Sequence, residues 1–228
     1  MTTTVASKEA TWRAGLRTVI EVLFKFPLYI LANPFKGFDE MKYLKRGDLR
    51  FAIVVMVALG FMAIVQNAYL GFIMTGIFRQ DPFVNVPFTL IMVYSPIVLF
   101  VISNWSVTTI TDGKGKMREI FLVYCYAVYL SVFTTLIGVV LSNFVTLNEV
   151  GFVTFFFAFG QFVWLLYLFI GLIVVHEYSF FKSVLMVIFT IGAMLIISFV
   201  FALFFSLFSN VIFFFTTVIQ EFTINYLS

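Results

Sequence analysis

The chain offers few starting points for chemistry: it contains one histidine and one cysteine, His176 and Cys125. His176-Glu177 opens the zinc-binding pattern H-E-x-x-H, which needs a second histidine one helical turn later, but position 180 is Phe180. With a single imidazole and a single thiol, no zinc or other transition-metal site is expected. Serine hydrolysis fares no better, because no G-x-S-x-G elbow is present and the sole histidine stands at the end of an apolar run. Gly113-Lys114-Gly115-Lys116 has the residue types of a phosphate loop. A P-loop, however, requires G-x-x-x-x-G-K followed by Ser or Thr, and here Met117 follows between two helical patterns. The better reading is a structural turn in which Asp112 satisfies local backbone donors and the glycines adopt positive φ; headgroup or partner contact is the functional alternative. No catalytic, cofactor-binding or metal residue is expected, and no nucleic-acid partner.

The composition explains why chemistry is scarce. Hydrophobic residues make up 62% of the 228 and charged residues 11%, too little polar surface to cover a soluble globule. Five apolar runs reach the ~18 residues that a bilayer crossing requires. The chain therefore reads as an all-α integral membrane protein, a bundle of five transmembrane helices with an N-terminal cytoplasmic amphipathic helix. Cys125 lies inside an apolar run, so it reads as a small packing residue, and a lone cysteine excludes an internal disulfide. No secretory signal peptide is visible before the first run.

Residues 1–50 form a basic arm with nine Lys/Arg and five Asp/Glu. From Lys8 to Leu31 the apolar residues Trp12, Leu16, Val19, Ile20 and Leu23 recur at helical spacing, with Arg13, Arg17, Glu21 and Lys25 four apart on another face. Trp12, Arg13, Arg17 and Lys25 are the expected membrane-surface contacts, and packing of the helix on the ends of the spans is the alternative. Pro27 and Asn33-Pro34 disfavour a continuous helix, so Phe35 to Tyr43 reads as a connector. The spans are expected at about 51–78, 88–110, 120–140, 152–175 and 184–207, with an apolar extension to about 219 that must tilt, break or follow the surface. Gly192, Ser206 and Ser209-Asn210 are candidate breaks, and Ser95-Pro96 a candidate kink. Gln66, Asn67, Asn104, Trp105 and Gln161 are assigned to packing between spans, because an unpaired amide in hydrocarbon is costly. Gln66, Asn67, Asn104 and Gln161 would alternatively line a path for neutral solutes. No Asp, Glu, Lys, Arg or His falls inside the expected spans, which argues against proton- or ion-coupled transport.

Orientation follows from the cations. Lys and Arg near span ends stay on the cytoplasmic side. With five spans and the N-terminus inside, thirteen of the fourteen Lys/Arg lie there: nine in the arm, Lys114, Lys116 and Arg118 in the turn, and Lys182; Arg79 alone is outside. The C-terminus is then outside.

Several segments in order resemble the Ypt-interacting-protein (Yip) domain family of polytopic membrane proteins. They are Asn33-Pro34-Phe35-Lys36-Gly37-Phe38, Asn104-Trp105, Asp112-Gly113-Lys114-Gly115, Tyr126-Ala127 and Tyr178-Ser179, spread over about residues 33–207. One departure is that Val128-Tyr129-Leu130 stands where the family often has a proline. The resemblance implies a five-span bundle with a cytoplasmic N-terminus. Eukaryotic members are associated with Rab-type GTPases, and prokaryotic members are often encoded beside carbohydrate ABC importers; the short arm resembles the prokaryotic kind. The expected role is a non-enzymatic scaffold or accessory subunit in a bacterial plasma membrane. It would touch lipid and other integral membrane proteins such as an importer permease, with Asp112, Gly113, Lys114, Gly115, Lys116 and Arg118 as the docking turn. The competing expectation is a small transporter or channel for neutral solutes.

Overall fold

A computed structural model describes residues 20–78 and 83–227. Every regular element among them is helical, and five helices are long and apolar enough to cross a membrane. A π-helical turn, Glu21–Lys25, leads into α1 (Phe26–Ala32), followed by α2 (Pro34–Tyr43), α3 (Leu49–Tyr69), α4 (Phe72–Phe78), α5 (Val86–Ile110) and α6 (Met117–Ser142). A short 3-10 turn, Leu147–Glu149, precedes α7 (Val150–His176), and α8 (Phe180–Leu227) ends the chain.

The helix α6 is the axis of the bundle. It packs most extensively on α7 and also touches α3, α5, α4 and α1. Of its most apolar window 56% is buried by protein, against 11% for α8, which leans mainly on α5 and presents most of its surface outward. The core at one end of α6 is aromatic: Tyr126 stacks on Phe51 at 4.2 Å between centroids and receives Phe26 edge-on at 5.5 Å. Such pairs add roughly 0.5–1.5 kcal/mol beyond area burial. This end also carries residues 20–48, the turn at 111–116 and the loop at 177–179, and is called here the basic end.

Pro27 and Pro34 of the arm sit where a helix tolerates them. Pro34 takes the first turn of α2, where its missing N–H would have no partner anyway. Pro27 likewise opens α1, and the π turn ahead of it closes on the Phe26 N–H to Glu21 O bond. The expected connector at residues 35–43 is therefore a helix. The α1–α2 hairpin is tight: a Cβ on Gly37 would lie 2.8 Å from the Ile30 Cα. It packs inward, with Ile30 and Phe38 fully buried, and Tyr129 OH and Tyr167 OH donate to the carbonyls of Leu23 and Leu31. Trp12, Arg13 and Arg17 lie outside the described residues; the described part of the arm lies on the spans, with Lys25 exposed.

Two boundaries differ from expectation. The first run divides at Leu70-Gly71 into α3 and α4, so Gln66 and Asn67 stand near the end of a helix rather than mid-span. Gly71 allows that break: its N–H donates to Ser142 Oγ at 2.9 Å, and an added Cβ would collide with the Ser142 carbonyl. Pro96, the candidate kink, lies inside α5 as expected. The last run has no break at Gly192, Ser206 or Ser209-Asn210, and α8 continues for 48 residues. Isolated Gly, Ser and Asn each cost a helix about 1 kcal/mol at most, too little to end so apolar a run, against about 3 kcal/mol for proline. At 1.5 Å per residue α8 is about 72 Å long, over twice the ~30 Å of hydrocarbon, so it must tilt strongly or emerge.

Gly71→Ala is expected to lower stability by about 1–3 kcal/mol, the range of overpacking against unyielding atoms. Gly76→Ala, with nothing within 4 Å of the added Cβ inside α4, should leave stability unchanged or raise it by up to about 1 kcal/mol. Thermal unfolding of the two variants in detergent checks this.

Candidate functional site

At the basic end, one hydrogen-bonded chain joins the 111–116 turn to three spans. The Gly115 N–H donates to His176 Nδ1 (3.3 Å), and His176 Nε2 lies 3.1 Å from Asn104 Oδ1. Asn104 Nδ2 donates to Thr190 Oγ1 (3.1 Å), and Thr190 Oγ1 to the Met186 carbonyl (2.8 Å). Because Nδ1 must accept and Nε2 must donate, the chain fits a single state, a neutral imidazole with its proton on Nε2. His176, Asn104 and Thr190 are all at most 2% exposed. In so dry a place a broken link leaves a buried donor or acceptor unpaired, at about 1–3 kcal/mol.

The turn is moulded onto that histidine. A Cβ on Gly113 would lie 2.6 Å from Tyr178 Oη and 2.8 Å from His176 Nδ1, and one on Gly115 2.6 Å from His176 Cε1. The glycines are needed for close approach. They were expected to supply positive φ, but neither does; Asp112 takes that role with φ of 58°. The Gly113 N–H donates to the Thr108 carbonyl (2.7 Å), and Tyr178, stacked on His176 at 5.4 Å, donates to the Thr111 carbonyl (3.1 Å).

Glu177 closes α7 in the left-handed conformation, φ 56°, where glycine is usual. Tyr178 N–H reaches back to the Ile173 carbonyl and Glu177 N–H to that of Val174, which satisfies the helix end. The side chain explains why a non-glycine residue stands there. Lys114 Nζ donates to Glu177 Oε2 at 2.5 Å and Lys42 Nζ to Oε1 at 2.8 Å, while the Tyr43 hydroxyl donates to Oε1 as well. The hydrogen bond from Lys114 first, then those from Lys42 and Tyr43, hold the Glu177 carboxyl down to about 2. Partial burial works against the Lys42 charge, but the bonds from Glu177 and Tyr43 outweigh it and leave its pKa above the usual value. One carboxylate thus fastens α2 and the turn to the end of α7.

The expected site residues separate into groups. Asn104, Gly113, Lys114 and Gly115 belong to this assembly, whereas Asp112, Lys116 and Arg118 stand exposed at its edge. Lys116 N–H is capped by Glu119 Oε2 at 3.0 Å, and neither Lys116 nor Arg118 forms an ion pair among the described residues. Trp105, next to Asn104, turns outward and is 42% exposed. Asn67 bonds its own helix at the Ala63 carbonyl (3.0 Å). Gln66 and Gln161 line a cleft farther along the bundle. The four amides proposed for a solute path therefore do not share one lumen. His176, expected at the wet end of a span, is instead the buried centre. Lys42, Tyr43 and Thr190 were not identified from sequence; no local pattern marks them, since their partners are 86 to 135 residues away. Among the described residues no group of His, Cys, Asp and Glu could hold a metal ion.

A family model described as the Yip1 domain matches residues 28–202. No curated protein and no solved structure matches the chain. The match spans the α1–α2 hairpin, the 111–116 turn, His176 and Thr190.

The charge node predicts an acid-sensitive end. Glu177 binds its proton less readily folded than unfolded, so its contribution is present above its ordinary value of 4.5 and is lost as pH falls toward 2. In nonionic detergent, the melting temperature of the native protein should fall more steeply between pH 4.5 and 3 than that of Glu177→Gln, which should be the lower of the two at neutral pH.

Proposed function

Because the chain belongs to the Yip1 domain family of membrane proteins, we propose that it is a non-enzymatic scaffold that holds other integral membrane proteins through its basic end. The observation that carries this reading is the division of labour at that end. Lys42, Lys114, Glu177, Asn104 and His176 are used up internally and make the end rigid, whereas Lys116 and Arg118 remain exposed and unpaired among the described residues. Exposed apolar side chains, Phe35, Tyr43 and Leu44, accompany them on the α1–α2 side. A rigid surface with free cations and apolar groups suits a protein partner, since docking then costs little ordering entropy.

In this reading the basic end faces the cytoplasm of a bacterium from its plasma membrane, which keeps thirteen of the fourteen Lys/Arg off the translocated side. The partner proposed is the permease of a carbohydrate ABC importer, with this chain as its accessory subunit. Passage of neutral solutes through the chain alone is the competing reading; the separation of Asn67 and Asn104 from the Gln66–Gln161 cleft weighs against it.

Mild-detergent extraction of the tagged protein from its own membrane is expected to recover the permease in a fixed ratio. Lys116→Glu with Arg118→Glu should cut that recovery several-fold at an unchanged melting temperature. Lys114 is left intact because its loss would unfasten Glu177. Repeated recovery of the protein alone, together with solute flux in liposomes holding only this chain, would replace the scaffold with the transporter.

A further inference from the structure

A second site lies away from the basic end, in a cleft of about 260 Å³ between α3, α6 and α7, with Val93 of α5 on one wall. Each helix contributes a stripe at helical spacing: Leu59, Met62, Ala63 and Gln66 from α3, and Phe157, Gln161 and Trp164 from α7. From α6 come Tyr124, Val128, Ser131, Val132 and Thr135. Three segments distant in sequence thus turn their polar positions toward the same space.

Those polar groups are unspent. The carboxamides of half-buried Gln66 and exposed Gln161 and the Tyr124 hydroxyl form no hydrogen bond among the described residues, and the Trp164 indole N–H, also without a partner, is fully buried in the wall behind them. Tyr124 and Trp164 are nonetheless held in place, edge to face at 5.7 Å. Within a span such groups normally turn to a neighbouring helix and bond across it. Here they surround a void instead, and a packing role alone would have been met by apolar residues at lower cost. The volume is several times the ~30 Å³ share of one water, so a single bridging water cannot serve them all.

The lining sets the ligand class. Two amides, a phenol and two hydroxyls both donate and accept, and no Asp, Glu, Lys, Arg or His is among them, so a charged ligand would find no counter-ion. Leu59, Met62, Val93 and Phe157 supply apolar walls. We infer that the Gln66–Gln161–Trp164 cleft binds an uncharged, hydroxyl-bearing molecule, contacted by the two carboxamides, with its carbon skeleton against the apolar walls and the indole ring. The same chemistry is found in a neutral acylglycerol from the bilayer and in a small polyol from the aqueous phase. The site does not depend on the docking reading, because it shares no residue with the basic end.

The chain has three tryptophans, so Trp12→Phe with Trp105→Phe leaves Trp164 as the sole indole reporter, on the cleft wall. This variant in phosphatidylcholine nanodiscs would be titrated with dioctanoylglycerol and, separately, with glycerol and erythritol, while Trp164 emission is followed. A saturable shift with one class of probe, weakened about tenfold by Gln161→Leu and by Gln66→Leu, is expected, tenfold being the loss of one good hydrogen bond. Saturation by the acylglycerol alone places the source in the membrane, and by the polyols alone in water. Removing an unpaired amide from hydrocarbon should not unfold the bundle, and an unchanged melting temperature verifies this. No saturable response to either probe, or one indifferent to both substitutions, overturns the proposal and leaves the cleft to water.

Discussion

The basic end of the molecule depends on keeping one imidazole dry and fully bonded. His176 accepts from the Gly115 N–H and donates to Asn104, which donates to Thr190, so every member of the chain has a fixed direction. In a low-dielectric interior such a chain has one good arrangement and no cheap partial one. It joins α5, α7, α8 and the 111–116 turn without any covalent link. The glycines of that turn follow from the same constraint, because a side chain at 113 or 115 would displace the ring it covers.

Around this lock the architecture is uneven. α6 is enclosed by its neighbours and fixes the core through Tyr126 and Phe51, whereas α8 is tied in near its start and leaves most residues from 191 to 223 exposed. The Glu177 node adds an electrostatic clasp over the hydrogen-bonded chain, and the left-handed turn that holds Glu177 in place connects the two. Buried polar bonds therefore set the position of the basic end, and the solvated ion pairs lie over it.

The fold was largely readable from sequence, since five long apolar runs in so hydrophobic a chain have few alternatives. What could not be read were features decided at a distance. His176 beside Glu177 reads locally as the wet end of a span, and only Asn104, 72 residues earlier, makes it a core residue. Pro27 and Pro34 look like breaks until their place in the first turn of a helix is known. Gly71 carries a break that hydropathy cannot register, because the residues on both sides remain apolar. At the candidate site Asn104 and the Gly113-Lys114-Gly115 turn were marked by residue type and order. Lys42, Tyr43 and Thr190 carry no such mark, and Trp105 shows that a neighbour in sequence can point the other way.

Hydrogen–deuterium exchange across residues 111–116, comparing the native protein with His176→Leu, tests the buried lock most directly. Without the ring nitrogen the Gly115 amide loses its acceptor and the turn its template, so exchange there should accelerate about tenfold or more while the far end of α6 keeps its protection. Equal protection of the turn in both proteins, at matched melting temperature, would contradict the account.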